Sequence, residues 1–348
     1  MAALDSSDGY VQPRKADLEA QDVPIASASR RREKLDWRNA WRWGVVHDAL
    51  AALSMLILGL GLEKARPRTM YWQNENAWAH AYPLKDNTVP SWTVPLYSLL
   101  GPAAVFLSYR WILKRRWWEI IRLIVSLCLA FFLTAAITNC LKLPVGRYRP
   151  NFLRACWPNG TVVLSPQDQW GGYPVCDPSV SESDVDEHRK SWPSGHSSLS
   201  AAGLGFLTFS LLGQLRAYAP PVVEGRCWRW LVALLPGFGA VAVGVTRVLD
   251  YWHYPADVCT GLAIGFLTAF FVYRLQYPAL THALCYLPWE LHAELDEHAV
   301  RLDERAGGVG SGVLPAVGVG AGNGGVVGGS GRGTELGLTG PGHAVTRP

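Results

Sequence analysis

The chain alternates between long apolar runs and shorter polar segments. Six runs of roughly 18 to 23 residues are long enough to cross the ~30 Å hydrocarbon core of a bilayer as helices. They cover residues 44–62, 94–113, 119–141, 197–215, 230–248 and 255–275. The pattern predicts an all-α integral membrane protein with six transmembrane helices.

The charged residues beside these runs predict how the chain is oriented. A basic flank precedes the first run and predicts a cytoplasmic N terminus; it contains Arg30, Arg31, Arg32, Lys34, Arg38 and Arg42. Six spans then place both termini in the cytoplasm, and the loops after spans one, three and five on the lumenal or extracellular side. An endomembrane and the plasma membrane both remain open.

The positions of the six predicted spans divide the chain into four regions. Residues 1–42 are a largely disordered cytoplasmic segment, and residues 43–276 are the six-span membrane domain. Residues 277–305 form a short amphipathic juxtamembrane segment, because leucines recur at helical spacing over 288–305. Residues 306–348 are so rich in glycine that we expect a disordered cytoplasmic tail.

Composition supports a membrane protein and argues against other classes. Of the 348 residues, 49% are hydrophobic and only 17% charged. The net charge of +4 is too small and too dispersed for nucleic-acid binding. Cys156 and Cys176 share the long outward loop and are the cysteine pair most readily bridged, while Asn159 begins an N-glycosylation acceptor sequence there.

Three polar clusters fall on the predicted outward side. The first contains Lys142 and Arg149. The lysine ammonium is a compact charge, and the planar guanidinium of arginine can donate to two phosphate oxygens at once, so the pair suits a phosphoryl group. Contact with lipid headgroups is the alternative for this cluster taken alone.

The second cluster opens the fourth run with Ser194, Gly195 and His196. Unpaired N–H groups at a helix start form an anion site, and a histidine beside it can donate a proton. A lone histidine near the interface is otherwise more often structural.

The third cluster contains Arg247, Asp250, His253 and Asp257. His253 and Asp257 are four residues apart, so the carboxylate is expected to hold one ring nitrogen protonated and leave the other as a nucleophile. A routine interfacial ion pair is the alternative. Asp250 receives no function and is expected to be solvated.

Together the clusters predict a phosphoryl-transfer site that needs no metal. A zinc site built from His196, His253 and Asp257 competes weakly, because three nearby cations repel a divalent ion.

The combined pattern resembles a known family. Lys142-x6-Arg149-Pro150, Pro193-Ser194-Gly195-His196 and Arg247-x5-His253-x3-Asp257 look like the three-part signature of the type 2 phosphatidic acid phosphatase superfamily. Their order and spacing resemble its lipid phosphate phosphatase branch. The stretch 82–90 resembles that of the plant and fungal enzymes, whose substrates include diacylglycerol pyrophosphate. Thr246 departs from the usual serine.

The resemblance implies a phosphatase and haloperoxidase-like helical core and magnesium-independent hydrolysis of lipid phosphates without a cofactor. His253 would form a phosphohistidine, Asp257 would support it and His196 would protonate the leaving alcohol. Phosphate would be bound by Lys142, Arg149, Ser194, Gly195 and Arg247.

The expected activity is hydrolysis of phosphatidic acid to diacylglycerol and inorganic phosphate, or of related lipid phosphates such as lysophosphatidic acid or diacylglycerol pyrophosphate. The expected partners are membrane lipid substrates. The sequence leaves open whether the chain forms a homo-oligomer. Sphingoid-base phosphates or sugar phosphates are alternative substrates within the superfamily. Two alternatives from other functional classes are a vanadium haloperoxidase and a non-catalytic membrane scaffold.

Overall fold

The computed structural model describes residues 43–219, 227–289, 291, 292 and 295, all within one unit, Met1–Asp296. Eight α-helices are described in these ranges. They are α1 (Trp43–Glu63), α2 (Gly101–Ile112), α3 (Trp117–Val145), α4 (Phe152–Cys156), α5 (Glu182–His188), α6 (Gly195–Gln214), α7 (Cys227–Leu249) and α8 (Pro255–Gln276).

Four of these helices are long and apolar enough to cross a membrane: Gly44–Glu63, Trp117–Val145, Cys227–Leu249 and Pro255–Gln276. The other two predicted spans have a different character. Run 94–113 is divided between a π-helix, Leu96–Leu100, and the short α2. Helix α6 has 20 residues but carries many serines and glycines, most of them buried. The membrane character is therefore supported, and the count of six stays a prediction.

Helix α6 packs against α3, α7 and α8 and lies at the centre of the helical bundle. Small residues allow the close approach of α8. A Cβ atom added at Gly265 would lie 2.2 Å from the carbonyl oxygen of Ser198, and one at Gly261 would lie 2.6 Å from that of Ser194. The serine-rich face of α6 is thus a helix–helix interface, which explains why its sequence is less apolar than that of its neighbours.

Most of the segment 142–192, which the sequence presents only as a polar loop, folds with residues 72–73 into a small cap. Strands β1 (Trp72–Gln73), β2 (Leu164–Gln167) and β3 (Gly171–Pro174) form an antiparallel sheet in the order β1-β3-β2. Its apolar core includes Trp72, Phe152 and Trp157. A disulfide joins Cys156 to Cys176.

The opposite end of the bundle is closed by the segment after α8. Arg115, just before α3, donates hydrogen bonds to the side-chain oxygen of Gln214 at 2.7 Å and to the carbonyl of Tyr286 at 3.3 Å. The predicted N-terminal segment and glycine-rich tail, and most of the predicted amphipathic helix over 288–305, lie outside the described residues. The four-region division therefore stays a prediction.

Candidate active site

Backbone hydrogen bonds join the three polar clusters at one end of the bundle. The N–H of Ser191 donates to the carbonyl of Arg147 at 3.0 Å, which ties the second cluster to the first. The N–H of Ser194 donates to the carbonyl of Asp257, also at 3.0 Å, which ties it to the third. Segments more than a hundred residues apart in the sequence therefore form one polar site.

The end of α3 delivers the basic residues of the first cluster. Gly146 ends the helix in the left-handed conformation, with φ +58°, and a Cβ atom there would lie 1.9 Å from the carbonyl oxygen of Arg68. Only glycine fits this turn. In the last turn of α3, Lys142 extends toward the start of α6, and its Nζ would lie 3.1 Å from a Cβ atom at Gly195.

The start of α6 carries the second cluster. Ser194 caps the helix, and its side-chain oxygen accepts the N–H of Ser197. Burial, together with the positive charge of Arg247 and the neighbouring ring of His253, lowers the pKa of His196 to about 3. The Nε2 atom of His196 is buried and has no hydrogen-bond partner among the described residues. His196 is thus neutral, and this ring nitrogen is available to a ligand.

His253 lies in the turn between α7 and α8 and is only 3% exposed. Its Nδ1 is 2.7 Å from the carbonyl oxygen of Ser191. Because a carbonyl can only accept, Nδ1 carries the proton and Nε2 retains its lone pair. Burial and, to a lesser extent, the charges of Arg149 and Lys142 lower the pKa of His253 to about 4, although Asp257 partly offsets them.

The direct hydrogen bond expected between His253 and Asp257 is not formed. Nδ1 of His253 and Oδ2 of Asp257 are 3.9 Å apart, which is too long. The carboxylate is already occupied, since Oδ1 accepts from Arg147 at 2.7 Å and Oδ2 accepts from the hydroxyl of Ser191 at 2.6 Å. Asp257 also caps α8, where Oδ2 accepts the N–H of Tyr254 at 3.2 Å.

Arg149 is held by Glu187, a residue that no sequence motif indicated. Nε of Arg149 donates to the carbonyl of Glu187 at 2.8 Å, Nη2 donates to its carboxylate, and the guanidinium lies 4.7 Å from the ring centroid of Trp252. Burial alone would raise the pKa of Glu187, but the charges of Arg149 and Lys142 outweigh it and lower the pKa. Glu187 is therefore an anion beside the cations of the site.

Arg247 is completely buried at the end of α7. Its Nη1 donates to Oδ1 of Asn87 at 2.6 Å and its Nη2 donates to Oδ2 of Asp250 at 2.8 Å. The expectation that Asp250 is solvated is wrong. Asp250 is 2% exposed, and its carboxylate also accepts the N–H and the hydroxyl of Thr88, each at 2.8 Å. Asp250 is buried because its carboxylate balances the charge of the buried Arg247 guanidinium.

The structure thus brings together every catalytic and phosphate-binding residue predicted from the sequence. Five further residues, for which the sequence patterns indicated no role, hydrogen-bond to them: Asn87, Arg147, Glu187, Ser191 and Asp250. Two signals were available. Ser191 lies just before the Pro193 to His196 motif, and Arg147 lies two residues before Arg149, where an extended chain presents both on one side.

Chemically, the site combines several cations with two neutral histidines. Lys142, Arg149 and Arg247 supply positive charge, as a phosphoryl group requires. A neutral imidazole with a free nitrogen is a competent nucleophile, and a second one can carry a proton.

Comparison with known proteins agrees with this chemistry. Residues 123–280 match the family model of the PAP2 superfamily. The chain is 36% identical over 255 residues to lipid phosphate phosphatase 1 of Arabidopsis thaliana, covering 73% of this chain and 75% of that protein. No solved structure matches the chain.

A second relative extends the match beyond plants. The chain is 32% identical over 268 residues to diacylglycerol pyrophosphate phosphatase 1 of Saccharomyces cerevisiae, covering 76% of this chain and 88% of that protein. Both alignments exceed two thirds of each protein. The chain therefore belongs to the PAP2 superfamily, in its lipid phosphate phosphatase and diacylglycerol pyrophosphate phosphatase branch.

Proposed function

We propose that the protein hydrolyses phosphatidic acid and related lipid phosphates, including lysophosphatidic acid and diacylglycerol pyrophosphate. With phosphatidic acid, the products are diacylglycerol and inorganic phosphate. The observation that carries the proposal is the meeting of the three clusters around His253, with Ser191 and Ser194 hydrogen-bonded to the other two segments. The names of the two relatives support the lipid class of the substrate.

In the first step, Nε2 of His253 attacks phosphorus while the bond from phosphorus to the lipid oxygen breaks. His196 gives its proton to that oxygen, and the alcohol leaves. The low pKa of His196 is raised when the dianionic phosphate binds beside it, because an anion favours the imidazolium form. Lys142, Arg149 and Arg247 stabilise the charge on the phosphoryl oxygens.

In the second step, water attacks phosphorus and the bond between phosphorus and His253 breaks. His196, now neutral, accepts the proton of the water. Inorganic phosphate leaves, and His253 returns to its neutral form. Fixed cations supply the charge stabilisation throughout, so the reaction is expected to proceed without magnesium.

The same proposal assigns the protein to a membrane with the site on the lumenal or extracellular face and both termini in the cytoplasm. The apolar helices support the membrane assignment. Asn159 is exposed on the cap, and a glycan there would displace the hydrogen bond that its Nδ2 donates to Asp177 at 2.9 Å.

The test is phosphate release by the purified full-length protein in detergent micelles containing phosphatidic acid and a chelator. We expect release from the wild type and none from His253→Ala. His282→Ala is the matched control, since His282 lies after α8 and outside the site. Normal hydrolysis of phosphatidic acid by His253→Ala would refute the proposal.

The substrate is decided by a panel measured under the same conditions. It comprises phosphatidic acid, a sphingoid-base phosphate and a sugar phosphate. A higher kcat/KM on either of the latter two, lost equally in His253→Ala, would keep the chemistry and replace the lipid substrate.

A further inference from the structure

The proton on His253 is held by a main-chain carbonyl, and this carbonyl belongs to Ser191. The distance from Nδ1 of His253 to that oxygen is 2.7 Å, whereas the distance from Nδ1 to Oδ2 of Asp257 is 3.9 Å. Only the first distance is a hydrogen bond. The position of the Ser191 carbonyl therefore determines where the imidazole ring lies and which of its nitrogens is free.

Two hydrogen bonds fix that carbonyl. The N–H of Ser191 donates to the carbonyl of Arg147, and its hydroxyl donates to Oδ2 of Asp257 at 2.6 Å. Ser191 is fully buried, so no water competes for these groups. The serine is thus held through both its backbone and its side chain.

Asp257 is held in turn by Arg147. Nη1 of Arg147 donates to Oδ1 of Asp257 at 2.7 Å, and its guanidinium lies 4.4 Å from the ring centroid of Tyr254. Oδ2 also accepts the N–H of Tyr254 and lies 3.9 Å from Nδ1 of His253, too far to orient the imidazole directly. The path from Asp257 to the imidazole runs through the hydroxyl and carbonyl of Ser191.

We propose that Ser191 and Arg147 are positioning residues for the nucleophile, and that Asp257 acts on His253 through Ser191. This inference rests on the proposed role of His253. Removal of the Ser191 hydroxyl leaves the carbonyl in the chain but releases it from Asp257. The imidazole then spends less time aligned with phosphorus, which lowers the rate of the chemical step without removing any group that contacts phosphate.

The experiment compares purified full-length variants on phosphatidic acid in detergent micelles. Ser191→Ala is expected to lower kcat about 10- to 100-fold with KM nearly unchanged, the cost of losing one hydrogen bond to a charged group. Ser191→Thr retains a hydroxyl and is expected to recover most of the rate. Ser210→Ala is the control, because this buried hydroxyl on α6 has no partner among the described residues.

Arg147→Gln provides a second test in case Ser191→Ala folds poorly. The Arg147 side chain is 36% exposed, so its replacement leaves no buried cavity. It is also expected to lower kcat rather than raise KM. Because both residues act through Asp257, the double variant should lose less than the product of the two single losses.

The outcomes separate this inference from the proposed function. Wild-type kcat in Ser191→Ala, or fully multiplicative losses in the double variant, would overturn the positioning role while an inactive His253→Ala keeps the proposed function. Full activity in His253→Ala would overturn both. An increase in KM alone would make Ser191 a substrate-binding residue and would also overturn the inference.

Discussion

Replacement of Asp250 by alanine should destabilise the protein more than the loss of an ordinary polar residue. Arg247 is fully buried, and Asp250 supplies the carboxylate at 2.8 Å that balances its charge. Asp250→Ala leaves that guanidinium buried beside only neutral acceptors, such as Oδ1 of Asn87. It also removes the acceptor for the N–H and hydroxyl of Thr88.

The expected cost follows from the charge that remains. Removing one partner of a buried ion pair costs about 3–5 kcal/mol, because the other charge stays out of water without compensation. The lost bonds to Thr88 act in the same direction. Arg247 belongs to the proposed phosphate site, so kcat/KM should fall together with the stability.

The assay is equilibrium unfolding of the full-length protein in mixed micelles, followed by circular dichroism. Asp86→Ala is the matched control. Asp86 lies next to Asn87, in the loop that contacts Asp250, but is itself exposed, and a surface change of this kind usually stays within about 0.5 kcal/mol. If Asp250→Ala unfolds within 1 kcal/mol of the control, Asp250 does not act as the counter-ion of Arg247.

Three further outcomes are expected. The pKa values of His253 and His196 are lowered to about 4 and about 3, so below pH ~6.5 the unfolded chain binds more protons than the folded one. The free energy of unfolding should therefore decrease as the pH is lowered from about 6.5 to about 5. A flat profile over this range would contradict these pKa values. Glu187→Gln should lower the inhibition constant of inorganic phosphate, because the carboxylate that competes for Arg149 is lost while the Glu187 carbonyl still accepts from Nε; an unchanged or higher constant would argue against that competition. A glycosidase should increase gel mobility of the cell-derived protein but not of Asn159→Gln, and equal mobility before and after treatment would show the acceptor to be empty.

Helix starts and the grouping of the clusters are predictable because they depend on local sequence. Pro255 is the first residue of α8, and Ser194 caps α6 next to Gly195, as the motifs indicate. The predicted topology relates segments that are distant in the sequence, because it puts the loops after spans one, three and five on the same side of the membrane. The residue types then suggest phosphate chemistry before any distance is known.

The hydrogen-bond partners were not predictable in the same way. Periodicity suggests that His253 and Asp257 are neighbours, but His253 precedes the first turn of α8 and Asp257 is occupied by Arg147 and Ser191. The partner of His253 lies 62 residues earlier in the chain, and no local pattern encodes such a pairing. The burial of Asp250 is similar, because it depends on a loop more than 150 residues away.

The cap illustrates a different limit. Strands of two to four residues give too short an alternation to be recognised, and the sheet is stabilised by an apolar core formed from distant segments. The segment 142–192 therefore reads as a polar loop although much of it is folded.

The most direct measurement is the identification of the residue that carries phosphate during turnover. Full-length protein would be mixed with phosphatidic acid labelled in its phosphate, quenched in base to preserve a phosphoramidate bond, and digested for mass spectrometry. We expect a base-stable, acid-labile label on the peptide containing His253, absent from His253→Ala and present in His282→Ala. Label on another residue, or normal turnover by His253→Ala, would contradict it.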